Sequence, residues 1–167
     1  MNTPAITLRP ASRADVPLIL ELIHALAEYE REPDAVEATE ALLDRQLFGA
    51  QPGAEVVIAE VDGQGAGFAL FFHNFSTWRG RRGLYLEDLF VRPQFRGLGI
   101  GRALMVHLAK LAVQRDCARF EWSVLDWNTP AIDFYRSLGA VGMDEWTVQR
   151  VDGAALQALA AQADEHV

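Results

Sequence analysis

The chain has 167 residues, 50% of them hydrophobic, with a formal net charge of −8 and a pI near 4.9. That is material for one domain with a core of its own, expected to span residues 1–167, and the acidic balance argues against nucleic acid as a partner because a phosphate backbone asks for a basic face. No run reaches the roughly 20 apolar residues that cross a bilayer, and Met1-Asn2-Thr3-Pro4 lacks the basic and apolar regions of an export signal, so a cytoplasmic protein without a membrane partner is expected.

In chain order, residues 6–9 alternate like a short strand, and Pro10-Ala11-Ser12 leads into a helix with Leu18, Leu22, Ile23, Leu26 and Ala27 on one face. A second helix is expected over 38–48, ended by Gly49-Ala50-Gln51-Pro52-Gly53. Residues 55–61 and 66–75 are apolar or β-branched runs divided by Asp62-Gly63-Gln64-Gly65, which marks a β-hairpin, and residues 83–91 supply a third antiparallel strand. After Val91 the rhythm becomes helical through Ile100, Leu104, Leu108 and Leu111; residues 119–125 return to strand and 130–138 to helix. Residues 146–151 read as the last strand and 154–163 as a terminal amphipathic helix. A meander followed by strands joined through helices predicts a mixed α/β sheet with helices on its faces.

Two features read as structural. Cys117, the single cysteine, has no second metal ligand at a familiar spacing and is expected to be a core thiol, with no metal site. Arg79-Gly80-Arg81-Arg82 is expected to be a solvated turn.

The most informative stretch is Val91-Arg92-Pro93-Gln94-Phe95-Arg96-Gly97-Leu98-Gly99-Ile100-Gly101-Arg102, which passes from a strand through a glycine-rich loop into a helix. Glycines allow close approach and positive φ, and a helix start offers unpaired N–H groups and partial positive charge. The stretch is therefore a candidate cradle for a pyrophosphate, to which Arg96 and Arg102 can add charge-assisted bonds. The alternative is a tight strand-to-helix turn. The loop has neither a Gly-Lys-Ser/Thr ending nor the glycine spacing of a dinucleotide fingerprint.

Arg96-x-x-Gly99-x-Gly101 in this setting resembles the acetyl-coenzyme A signature of the GCN5-related N-acetyltransferases (GNAT). Leu84-Tyr85-Leu86-Glu87-Asp88-Leu89-Phe90-Val91, Trp127-Asn128-Thr129-Pro130-Ala131-Ile132-Asp133-Phe134-Tyr135 and Leu26-Ala27-Glu28-Tyr29-Glu30 resemble its diamine (spermidine/spermine) and thialysine acetyltransferase branch. The resemblance runs from about Ile6 to Leu159. It implies a central mixed sheet of about six to seven strands flanked by helices on both faces. It also implies acetyl transfer from acetyl-CoA to a primary amine of a small molecule, by direct attack in a ternary complex, in a homodimer.

By the same resemblance, acetyl-CoA lies between the splayed parallel strands 83–91 and 119–125, with its pyrophosphate on the amides of residues 96–101. The implied cofactor-binding residues are Leu89, Phe90, Val91, Arg96, Gly97, Leu98, Gly99, Ile100, Gly101, Arg102, Asn128, Phe134 and Tyr135. Leu89 and Val91 would meet the pantetheine arm through their backbones. Asn128 also reads as a helix cap, with Pro130 in the first turn.

Tyr135 is the implied acid, since a tyrosine phenol has a reference pKa of about 10 and can protonate the departing thiolate. Glu87 is the implied base for an amine that is almost wholly protonated at neutral pH; the alternative is a structural carboxylate bonded to a nearby arginine. Asp88, Tyr29 and Glu30 would bind the cationic end of the substrate, although Tyr29 and Glu30 also read simply as a helix end. Neighbouring strand residues face opposite sides, so Glu87 and Asp88 can share a pocket only across a β-bulge, which is expected here.

The chain departs from the diamine pattern where Ser76-Thr77 stand in place of an acidic residue. The arginines at 79, 81 and 82 would also repel a long polycation. Both favour a shorter amine that carries its own carboxylate, such as a lysine or thialysine. Acetylation of a protein N-terminus or lysine, and a non-catalytic acyl-CoA sensor, are the alternatives.

Overall fold

The computed structural model describes residues 3–162; Met1 and Asn2, and the predicted end of the terminal helix at Ala163, lie outside the described residues. The chain falls into two compact units, one ending at Ser123 and the other beginning at Val124.

The first unit contains β1 (Ile6–Pro10), α1 (Val16–Tyr29), α2 (Glu40–Phe48), β2 (Glu55–Val61), β3 (Gln64–Ser76), β4 (Arg81–Val91), α3 (Ile100–Gln114) and β5 (Phe120–Trp122). The strands form one sheet in the order β1-β2-β3-β4-β5. The first three pairings are antiparallel, and β4 with β5 is parallel, with α3 as the crossover that a parallel pair requires.

Local chemistry explains the boundaries. Pro17 stands in the first turn of α1, and Val16, Ile19, Leu22 and Leu26 form its buried face. Ahead of α1, the Asp15 carboxylate accepts from the Ser12 amide at 2.7 Å and takes two bonds from Arg9 of β1, which also pairs with Glu60 of β2. Thr39 caps α2 by accepting from the Leu42 amide at 3.1 Å. Asp62 and Gly63 have φ of 49° and 81°, the left-handed pair of a two-residue hairpin turn. The turn is therefore shorter than expected, and β3 begins at Gln64.

Helices cover both faces of this sheet. Val56 and Ile58 share one buried cluster with Ile19, Leu22, Leu26, Leu47, Phe68 and Phe90. Val57 and Ala59 point the other way and are also buried, and α3 packs against β2, β3 and β4 with Ile100, Leu104, Met105 and Leu108 buried.

The second unit holds α4 (Thr129–Ser137) and α5 (Gly153–Ala160). Here the sequence reading needs correction. The described sheet has five strands, not six to seven, because residues 146–151 form none. Their alternation marks a preference for extended backbone, but a strand exists only when a neighbour completes its ladder. Trp146 and Val148 are instead 74% and 77% exposed. β5 likewise keeps only the centre of the predicted 119–125 strand. Cys117 is half-buried in the turn after α3, outside the core. The exposed turn lies at residues 77–80, so of the predicted 79–82 turn only Arg79 and Gly80 belong to it, while Arg81 and Arg82, also exposed, begin β4 because they pair with Ser76 and Phe75. Among the described residues no helix is long and apolar enough to cross a membrane.

Candidate active site

The site begins with an irregularity in β4. Leu70 of β3 stands opposite Asp88, and the next pair is Phe71 with Leu86, so Glu87 has no partner and forms a β-bulge where the two adjacent acids required one. Phe90 belongs to the cluster under α1, and Asp88, two residues earlier, shares that face. α1 ends on the same side at Tyr29, with Glu30 as its C-cap.

The electrostatics follow from this meeting of elements. Asp88 is pushed up to about 6, first by burial and then by the negative charges of Glu87 and Glu30. Glu30 is raised by burial and then by Glu87. No cation contributes to either shift, and the C-terminal end of α1 adds partial negative charge. Negative charge is thus concentrated where the end of α1 meets the β4 bulge.

Beside the bulge the sheet opens. β5 pairs with β4 only through Leu84, Tyr85 and Leu86, and that pairing ends one residue before Glu87. Residues 87–91 continue without a β5 partner, leaving backbone groups along this edge for a ligand at the place predicted for Leu89 and Val91. Tyr85 and Ser123 hydrogen-bond at 2.9 Å across the paired portion.

At the far end of β4 lies the glycine loop. Gly97 and Gly99 have φ of 83° and 80°, a conformation that favours glycine, and a Cβ at either would meet open space. Gly99 is the N-cap of α3 and no side chain caps the helix, so its first amides still need an acceptor. Leu98, 39% exposed, lies between the two glycines, and Gly101 falls in the first helical turn. An uncapped helix start with open space before it fits a coenzyme pyrophosphate.

The two arginines differ. Arg102 lies on the flank of α3 with His107 and Lys110, along a groove of about 460 Å³ that reaches Leu8 of β1. Arg96 places its guanidinium 5.2 Å from the centre of the Tyr29 ring and 5.8 Å from that of Phe90, while its Nε donates to the Val91 carbonyl at 3.1 Å. This contact was not foreseen: residues far apart in sequence that stack through a ring face leave no periodic signal.

Asn128, Phe134 and Tyr135 belong to the second unit. Asn128 is buried and its side-chain oxygen accepts from the Ala131 amide at 3.4 Å, so the capping role is present. Phe134 and Tyr135 neighbour each other on α4, with ring centres 5.5 Å apart, and Tyr135 is half-buried. The first unit thus gathers Tyr29, Glu30, Glu87, Asp88, the 89–91 edge and the loop. Among the described residues no group of His, Cys, Asp and Glu is arranged to hold a metal.

The site thus combines a parallel pair that parts at an acidic bulge with an uncapped helix start, and comparison with known proteins makes the chain an acetyltransferase. The model of the Acetyltransferase (GNAT) family matches residues 19–140, and the chain belongs to this family, whose co-substrate is acetyl-CoA. The chain is 37% identical to thialysine N-epsilon-acetyltransferase of Sus scrofa, over 93% of this chain and 98% of that protein. It is 32% identical to L-ornithine N5-acetyltransferase of Arabidopsis thaliana, over 91% of this chain and 86% of that protein. An integron cassette protein from the mobile metagenome of V. cholerae has a solved structure that matches with a TM-score of 0.80 at 30% identity, covering 94% of this chain and 98% of that one.

Proposed function

We propose that this acetyltransferase moves the acetyl group of acetyl-CoA onto a primary amine of a small molecule, with a lysine-like or thialysine-like amino acid preferred over a polyamine. The observation that carries this reading is the gathering of Glu30, Glu87 and Asp88 around the β4 bulge, where burial and neighbouring negative charge raise Glu30 and Asp88. The relatives named for thialysine and L-ornithine support an amino-acid substrate. So do the exposed arginines at 79, 81 and 82, which oppose a long polycation.

Bound acetyl-CoA supplies a thioester whose C–S bond breaks as the C–N bond to the amine forms, directly and in a ternary complex. The amides of residues 97–101 would hold the pyrophosphate, the Arg96 amide being already bonded to the Pro93 carbonyl at 3.2 Å, and the open edge at 89–91 would take the pantetheine arm. Asp88 and Glu30, with Tyr29 beside them, hold the cationic end of the substrate. Glu87 takes the proton that the nitrogen must lose, directly or through a water. The hydroxyl of Tyr135 gives a proton to the leaving sulfur, and Asn128 lies beside the coenzyme, by the motif they share with the family.

The family match crosses from Ser123 to Val124, which supports one catalytic domain across both units. A homodimer is part of this reading, supported by the apolar residues exposed between α4 and α5. So is a cytoplasmic location, with which the lone cysteine accords.

The test is an amine screen with acetyl-CoA, reading free thiol. Thialysine, L-lysine or L-ornithine should release thiol faster than spermidine. Release only with peptides, or with no acceptor, would overturn the small-molecule reading.

A further inference from the structure

We infer that Arg96 is a positioning residue for the amine acceptor: by lying over Tyr29 it ties the coenzyme loop to the end of α1, so that co-substrate and amine bind cooperatively. The inference rests on the function proposed above and adds to it a coupling between its two subsites.

Arg96 stands in the loop between β4 and α3, and its guanidinium covers the last residue of α1 while Nε holds the Val91 carbonyl. Stacking uses the face of the guanidinium, whereas hydrogen bonds leave from its edge. One of its five N–H donors is engaged at Val91, and the others remain for an anion in the ring's plane. The same side chain can therefore grip a phosphate on the loop and stay on the Tyr29 ring. Tyr29 is followed at once by Glu30, whose carboxylate is close enough to Glu87 and Asp88 to raise the pKa of Asp88. Arg31 then leaves the helix at φ 65°, so the Tyr29 ring is the last helical anchor before the chain turns away. Fixing that ring fixes Glu30 within the acidic cluster. A lysine carries the same charge but has no plane, and cannot serve both partners in this geometry.

The experiment measures the factor by which Arg96→Lys raises the KM for thialysine, in three backgrounds: wild type, Tyr29→Phe and Tyr29→Leu. Thialysine binding is also measured calorimetrically with and without saturating coenzyme A. An exposed cation–π contact should make the factor about 3- to 5-fold in the first two backgrounds, where a ring persists, and close to 1 with leucine. Coenzyme A should tighten thialysine binding in the wild type by a similar factor, and this coupling should disappear in Arg96→Lys.

An equal factor in all three backgrounds, or a rise confined to the KM for acetyl-CoA, would leave Arg96 as a phosphate ligand alone and overturn the inference. Those outcomes leave the proposed function standing. A wild-type protein that neither binds nor acetylates any amine would overturn the functional reading and the inference together.

Discussion

At the scale of single residues, Asp88 makes binding and stability respond oppositely to pH. Its carboxyl is raised from the ordinary 3.8 to about 6, first by burial, so the folded state holds the proton more tightly than the unfolded chain. The resulting stabilisation is complete below 3.8 and is lost as pH rises through 6. A cationic amine gains its partner over that upper range. The KM for the amine should fall about 10-fold, equivalent to 1.4 kcal/mol, between pH 5 and 7, and Asp88→Asn should flatten the profile. The same variant should raise the melting temperature at pH 7.5 and leave it unchanged at pH 4. A parallel change at both values would assign Asp88 no special ionisation. Glu87 is tested differently. If it draws the amine's proton, Glu87→Gln should lower kcat/KM about 100-fold near pH 7, with the defect shrinking toward pH 10 as solution supplies neutral amine. Profiles that stay parallel to wild type would make Glu87 structural. For Tyr135→Phe, turnover should fall roughly 10- to 1000-fold while coenzyme affinity holds, and steady-state kinetics with a binding isotherm decides it. The bulge was legible because two adjacent carboxylates on a strand cannot share one face without it, whereas the roles of the acids came from the resemblance alone. The Arg96–Tyr29 stack was not, since nothing local joins a loop arginine to a helix end.

Among the elements, the start of α3 and the parting of β4 from β5 build the site. The glycine loop was legible from composition and position alone, because a positive φ at Gly97 and Gly99 and an uncapped helix start follow from glycine's missing Cβ. The terminal strand was not. Alternation in residues 146–151 reports which face a strand would bury, whereas a strand's existence depends on a ladder partner that no local pattern encodes. The hairpin's Asp-Gly turn was legible because it specifies a backbone shape by itself, although β3 starts two residues earlier than expected, at Gln64. A variant in α3 separates folding from binding. Gly101 lies in the first helical turn, where glutamate is a better helix former and its charge suits the positive end of the dipole. Gly101→Glu should therefore fold with equal or slightly higher stability yet lose coenzyme A by about 100-fold or more, as a fixed anion occupies the field meant for the pyrophosphate. Calorimetry beside a thermal melt reads both quantities. Retained affinity in the folded variant would place the pyrophosphate elsewhere.

For the whole molecule, the unresolved tension lies between charge and exposed apolar surface. Each chain carries −8, which repels a second copy. Between α4 and α5, however, Val141, Met143, Trp146 and Val148 are 81%, 61%, 74% and 77% exposed, an apolar concentration that a lone chain in water gains nothing by displaying. Covering it against a second copy is the proposed resolution, and the two terms can be told apart by salt. Repulsion between acidic chains is screened over about 30 Å at 0.01 M and about 8 Å at 0.15 M ionic strength, whereas apolar burial changes little over that range. The dimer should therefore tighten as salt rises, the reverse of an interface held by ion pairs. Sedimentation equilibrium should give about twice 18.5 kDa at 0.15 M salt, with more monomer at 0.01 M. Trp146→Glu, which adds a charge to the exposed patch, should shift the protein to monomer while each chain keeps its melting transition. A wild-type monomer at every salt and micromolar concentration would remove the homodimer from the proposal, and a dimer that weakens with salt would move its interface to a charged face.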